Sequence, residues 1–249
     1  MAHLEILGHR GARGEAPENT LTSFLRASDA GVHGIELDVR MSLDGVLYAF
    51  HDKTLRRTTL QKGKLHLKNS QLLTQLDARH ALSHWPHQEA IPSLESVLIE
   101  CPSHLHYQLE IKGFMPMPYL DALVLQLKTL ITTLNIGQRV VVTSEDVNVL
   151  RQLKRIAPDI KRGYVCQYHH RLPISISNRL GCHWLIANHA LVNARLMKKA
   201  RSKGLKVSCW TVNDLDIAER LAQLKVDSII TDYPTAMLAH FQQRSQPLA

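Results

Sequence analysis

Residues 8–52, GHRGARGEAPENTLTSFLRASDAGVHGIELDVRMSLDGVLYAFHD, read as a strand end, a helix, a strand and a hairpin. The apolar run Leu4–Leu7 stops at Gly8-His9-Arg10-Gly11. That is the pattern of a buried strand delivering a basic pair to the top of a sheet, where glycine lets the backbone approach a ligand. A helix is predicted from Pro17-Glu18-Asn19-Thr20 to about Ala30: Asn19 or Thr20 is placed to cap it, Leu21, Phe24, Leu25 and Ala27 give an apolar face, and Gly31 ends it. In Gly34–Val39 apolar residues alternate with acids, so on a strand Glu36 and Asp38 point to the same face. Asp44-Gly45 then makes a tight turn, and Val46–Phe50 returns as a strand ending at His51-Asp52. Neighbouring carboxylates repel unless a positive charge lies between them, and a hard divalent cation is the usual solution. Salt bridges along an exposed strand are the alternative; acids at both polar positions, with His51 following, favour the cation.

Working outward, the same alternation recurs. Strand patterns centred near Leu4, Ile35, Leu109, Val141, Gly163, Leu185, Val207 and Ile229 are each followed by a helical pattern or an insertion. Eight such units predict an α/β fold, a (β/α)8 TIM barrel, as a single domain over residues 1–249. Residues 52–92 break the rhythm and read as a small insertion subdomain after the second barrel strand. His80 and His84 within it stand one helical turn apart but lack a third ligand nearby, so they read as an exposed polar face. His9, Glu36, Asp38, Glu110, Lys112, Ser144, Asn188, Trp210 and Asp232 fall at or just past strand C-termini, the rim where barrel active sites are built.

A net charge of +8 favours anionic ligands. The basic residues are dispersed, however, aromatics make up 5% of the chain, and no recognition helix, zinc finger or stacking motif is present, so nucleic acid is disfavoured as a partner against a small anionic molecule. No run approaches the length of a membrane span, the first residues lack signal-peptide features, and no stable membrane association is expected. Cys101, Cys166, Cys182 and Cys209 form no Cys-x-x-Cys pair and read as reduced thiols of a cytoplasmic protein, a monomer or homodimer.

The chain resembles the glycerophosphodiester phosphodiesterase family. The residues that carry the likeness are His9-Arg10-Gly11, Pro17–Thr20, Glu36-Leu37-Asp38, Asp44-Gly45, His51-Asp52 with Leu55, Arg57 and Thr58, Ile91–Glu95, Leu109–Lys112, Trp210–Asn213 and Asp227–Pro234. They cover the first half densely and the last fifth clearly, while the middle matches in periodicity. The resemblance implies a metal-dependent hydrolase of glycerophosphodiesters that releases sn-glycerol 3-phosphate and an alcohol. His9 and His51 are then the general acid and base, their individual roles open, and Glu36, Asp38 and Glu110 the ligands of Mg²⁺, Ca²⁺ or Mn²⁺. Arg10, Lys112 and Trp210 are the expected substrate contacts, and the insertion is expected over the barrel mouth. Ser144-Glu145 departs from the pattern, since much of the family follows this serine with an aromatic ring, which leaves headgroup preference open. Rival readings are a lysophospholipase D-type enzyme, with Leu65, Leu67, Leu72, Leu73, Leu76 and Trp85 meeting acyl chains, and a noncatalytic phosphate-ester-binding barrel.

Overall fold

The eight strand patterns of the sequence all become strands of one sheet. The computed structural model describes residues 4–245 apart from 83, 114, 115 and 169–171. The strands are β1 (Glu5–His9), β2 (Gly34–Met41), β3 (Leu47–Ala49), β4 (His106–Ile111), β5 (Val140–Ser144), β6 (Lys161–Cys166), β7 (Trp184–Asn188), β8 (Lys206–Trp210) and β9 (Ser228–Thr231). Eight of them run parallel in the order β1-β9-β8-β7-β6-β5-β4-β2, and β1 pairs with β2 to close the barrel; β3 is the antiparallel partner of β2. No helix among the described residues is long and apolar enough to cross a membrane.

Closure explains why both faces of most strands are apolar. Ile35, Leu37 and Val39 of β2 turn outward, fully buried in the main core with Phe24 and Ala27 of the helix Leu21–Ala30 and Leu94 and Val97 of the helix Leu94–Glu100. A second cluster, Leu7, Val141, Val165, Trp184, Ile186 and Ile230, comes from the opposite face of the strands and fills the barrel interior. The cap of the first helix is Thr20, whose hydroxyl accepts from the Ser23 amide, and Gly31 ends it at φ 93°. After β6 the chain is helical over Pro173–Arg179, and Arg171 lies outside the described residues.

Residues 52–92 form short turns and four-residue helices around their own apolar cluster, in which Leu55, Leu65, Leu73, Leu76, Ala78 and Ile91 pack on Tyr48 and Phe50. Leu65, Leu73 and Leu76 are therefore committed to packing, whereas Leu67 and Leu72 are exposed. His80 sits on a 3-10 turn, 3.9 Å from Asp77, and joins no group of metal-ligating residues among those described.

The turn after β1 is built on Gly11. Its φ is 84°, and a Cβ there would lie 2.5 Å from the Ser23 carbonyl carbon. Gly11→Ala is expected to destabilise the protein by at least about 1–3 kcal/mol from backbone strain alone, read as a lowered urea midpoint. An unchanged midpoint would mean that the turn relaxes at no energetic cost.

Candidate active site

Strand register assembles the site. His9 of β1 lies opposite Glu36 of β2, and on β4 Gln108 lies opposite Glu36 and Glu110 opposite Asp38. Since alternate residues share a face, these side chains and Lys112, two beyond Glu110, point inward at the C-terminal rim. Glu36, Asp38 and Glu110 offer oxygens within 4.8 Å of one another, the arrangement of a possible metal site. The β2–β3 hairpin folds His51 back to the same place, with the Phe50 amide donating to the Asp38 carbonyl at 2.9 Å and Arg40 Nε donating to the His51 carbonyl at 2.9 Å.

A cleft of about 300 Å³ opens on the rim, lined by His9, Arg10, Glu36, His51, Glu110, Lys112 and Trp210 among others. Seven of the eight residues expected from sequence thus line one cavity. Asp38, the eighth, is buried against it, with Lys112 Nζ 2.8 Å from its Oδ1 and Arg10 Nε 3.2 Å from its Oδ2. Lys112 also lies 2.9 Å from Glu110 and so bridges two of the three acids. Ser144 and Asn188 do not line the cleft. The Ser144 hydroxyl donates to the Ile111 carbonyl, and the Asn188 side chain caps the turn His189–Leu191.

Each histidine has a carboxylate behind it. His9 Nδ1 is 2.5 Å from Asp232 Oδ1, and His51 Nδ1 is 2.6 Å from Asp52 Oδ1. Asp232 is fixed by Asn213, which donates from its amide at 2.8 Å, and Asp52 by Arg57 at 2.7 Å. Burial pushes the His9 imidazolium below the usual histidine range, outweighing the opposing pull of Asp232. Burial alone would raise the Asp232 carboxyl, but the His9 hydrogen bond holds it below the ordinary carboxylate value. An ionised Asp232 only accepts, so the His9 proton sits on Nδ1 and Nε2 is left as an acceptor.

The acids differ sharply. Glu36 titrates well above the ordinary range because it is buried and lies beside Asp38 and Glu110. Asp38 titrates well below it: burial opposes, but Lys112 and Arg10 prevail. Three carboxylates, Glu36, Asp38 and Glu110, thus face two permanent cations, Arg10 and Lys112. The all-oxygen donor set with a surplus of negative charge fits a hard divalent cation.

The family model for the glycerophosphoryl diester phosphodiesterase family matches residues 9–236. The chain belongs to this family. A glycerophosphodiester phosphodiesterase of Caldanaerobacter subterraneus subsp. tengcongensis is 31% identical over 236 residues, 94% of this chain and 96% of that protein. An Oleispira antarctica phosphodiesterase, solved in complex with the product sn-glycerol-3-phosphate, has a TM-score of 0.85 at 26% identity and covers 96% of both chains. A glycerophosphodiester phosphodiesterase from Agrobacterium tumefaciens has a TM-score of 0.83 at 26% identity, covering 95% of this chain and 100% of its own.

Several parts of this glycerophosphoryl diester phosphodiesterase site escape sequence reading as functional groups. Glu18 and Asn19, within the Pro17–Thr20 run, are structural partners of the rim: Glu18 takes Arg10 at 2.7 Å and both terminal nitrogens of Arg57 at 2.7 and 2.8 Å, and Asn19 donates to Asp38 at 2.9 Å. The cavity also takes in Gln108, Thr143, Glu145 and Gln167. Gln108 Oε1 and Trp210 Nε1 are buried with no hydrogen-bond partner among the described residues, so each has hydrogen-bonding capacity left for something in the cleft.

Glu18 gives a pH prediction. Burial would raise its carboxyl, but Arg57 and Arg10 bring it down to about 2 from 4.5. A depressed carboxylate contributes stability that is present above pH 4.5 and lost as pH falls through about 2. The shift corresponds to about 3 kcal/mol. Urea unfolding of wild type and Glu18→Gln is expected to differ most at neutral pH, with the gap narrowing between about pH 5 and pH 2. A gap independent of pH would remove the Glu18 charge from the account.

Proposed function

We propose that the chain hydrolyses glycerophosphodiesters to sn-glycerol 3-phosphate and an alcohol, with His9 and His51 as general acid and base. The observation that carries this is the opening of both imidazoles onto one cleft with Glu36, Glu110, Arg10 and Lys112. Cleavage needs one group to take the proton of the attacking oxygen and another to give one to the leaving alkoxide. Asp232 and Asp52 fix the two rings through Nδ1, which leaves Nε2 as the atom that exchanges protons with substrate.

Glu36, Asp38 and Glu110 are the residues that would hold the divalent cation, with Mg²⁺, Ca²⁺ and Mn²⁺ all suited to oxygen donors. When bound, such a cation stabilises the negative charge that builds on the phosphate oxygens. Arg10, backed by Glu18 and Asp38, presents a fixed guanidinium to the phosphate, and Lys112 adds a point charge from the β4 side. Trp210 Nε1, which has no hydrogen-bond partner among the described residues, supplies a further donor to substrate. The enzyme is read as cytoplasmic, in keeping with four cysteines that form no Cys-x-x-Cys pair.

The test is product identity. Purified protein incubated with glycerophosphocholine and a divalent cation is expected to yield sn-glycerol 3-phosphate and choline; glycerol with phosphocholine, or no cleavage, would contradict it. Lysophosphatidylcholine is expected to turn over more slowly, because Leu65, Leu73 and Leu76 of residues 52–92 are committed to that segment's own core and are not free to meet an acyl chain. Faster cleavage of the lipid would favour the lysophospholipase D reading.

A further inference from the structure

Glu145 is the one acid of the cleft that the proposed chemistry does not use. It directly follows Ser144, the last residue of β5, and lines the wall of the cleft with Thr143 and Gln167. The permanent cations of the cleft, Arg10 and Lys112, are engaged by Glu18, Asp38 and Glu110. Among the described residues no lysine, arginine or histidine forms an ion pair with Glu145. The half-buried carboxylate therefore gives this wall a negative potential that a ligand meets directly.

We propose that Glu145 selects the alcohol of the diester, and that the preferred substrates carry a primary ammonium there, as in an ethanolamine headgroup. This assignment rests on the hydrolase reading above. With the phosphate anchored by Arg10 and Lys112, the substituent directed toward β5 and β6 faces Glu145, and the Thr143 hydroxyl and Gln167 side chain offer further acceptors. A neutral polyol gains ordinary hydrogen bonds there. An ammonium gains a charge-assisted one, and an anionic headgroup is repelled.

The experiment is the ratio of kcat/KM for glycerophosphoethanolamine over glycerophosphoglycerol, measured on the full chain with its divalent cation. Wild type is expected to favour the ethanolamine diester by about tenfold, Glu145→Gln to lower that ratio about tenfold, and Glu145→Lys to invert it. Acetylating the ethanolamine nitrogen removes the charge from the substrate and leaves the protein intact. It is expected to reproduce the loss with wild type and to have little further effect with Glu145→Gln. A ratio unmoved by Glu145→Gln, or acetylation equally damaging in both proteins, would overturn the assignment. No turnover of any of the three diesters would overturn the hydrolase reading itself, and this assignment with it.

Discussion

His9→Ala and His51→Ala are each expected to lower kcat by about 10²–10⁴-fold, the range typical of a lost general acid or base. Affinity for Mn²⁺, titrated by calorimetry, is expected to stay within a few-fold of wild type. The two effects separate because neither imidazole belongs to the acidic group; His9 Nε2 comes no nearer to a carboxylate of that group than 3.8 Å, at Glu36. The Asp232 and Asp52 partners predict a graded series. Asp232→Asn keeps the shape of the pair but no longer fixes the proton on His9 Nδ1, so it is expected to impair turnover less than His9→Ala while shifting its pH profile. The double variant His9→Ala, His51→Ala should lose little beyond the worse single variant, because groups that act as a unit are not additive. Turnover near wild type in the double variant would end the proton-transfer roles.

The second large effect divides Glu36 from Asp38. Both Glu36→Gln and Asp38→Asn are expected to weaken cation binding and turnover together, with partial recovery in excess cation. Their effects on stability without metal should be opposite. Asp38 holds Arg10 and Lys112 in a buried network, and removing one partner of a buried pair typically costs about 3–5 kcal/mol. Glu36 is buried beside two like charges, so neutralising it relieves repulsion. Thermal unfolding in EDTA is therefore expected to show Asp38→Asn well below wild type and Glu36→Gln at or above it. Equal losses from both would mean that the acids are ordinary structural partners.

The barrel and most of its site are legible in the chain for physical reasons. The strand pattern centred near Leu185 appears as Trp184–Asn188, and the first helix ends at Ala30 as expected, because glycine, proline and capping residues bound short apolar runs. Glu36 and Asp38 could be placed on one face because only that strand alternates apolar with acidic residues. Glu145 could not. Along β5 and the residue that follows it, both Val140, Val142, Ser144 and Val141, Thr143, Glu145 are plausible inward sets, since a parallel strand is buried on both sides and periodicity does not say which side faces the axis. Only the register shows that Ser144 serves the backbone and Glu145 the cleft.

The pairing of His9 with Asp232 was hidden for another reason. The two are 223 positions apart and meet because β9 closes on β1, a consequence of barrel closure that no local pattern encodes. Asn19 illustrates local ambiguity: as a helix cap it was equivalent to Thr20, but it turns inward at φ 54° to hold Asp38 and leaves the cap to its neighbour. The short turns of residues 52–92 carry no sustained period, so their leucines could be read as core or as lipid contact until burial separated Leu65, Leu73 and Leu76 from Leu67 and Leu72.

The central claim, that one rim joins a divalent cation to a pair of proton-carrying histidines, is tested most directly by turnover of a glycerophosphodiester before and after EDTA, with metal add-back. Activity should disappear on chelation and return with Mg²⁺, Ca²⁺ or Mn²⁺ in wild type, while His9→Ala stays inactive at every metal concentration. Undiminished cleavage in EDTA, or recovery of the histidine variant by metal alone, would contradict it.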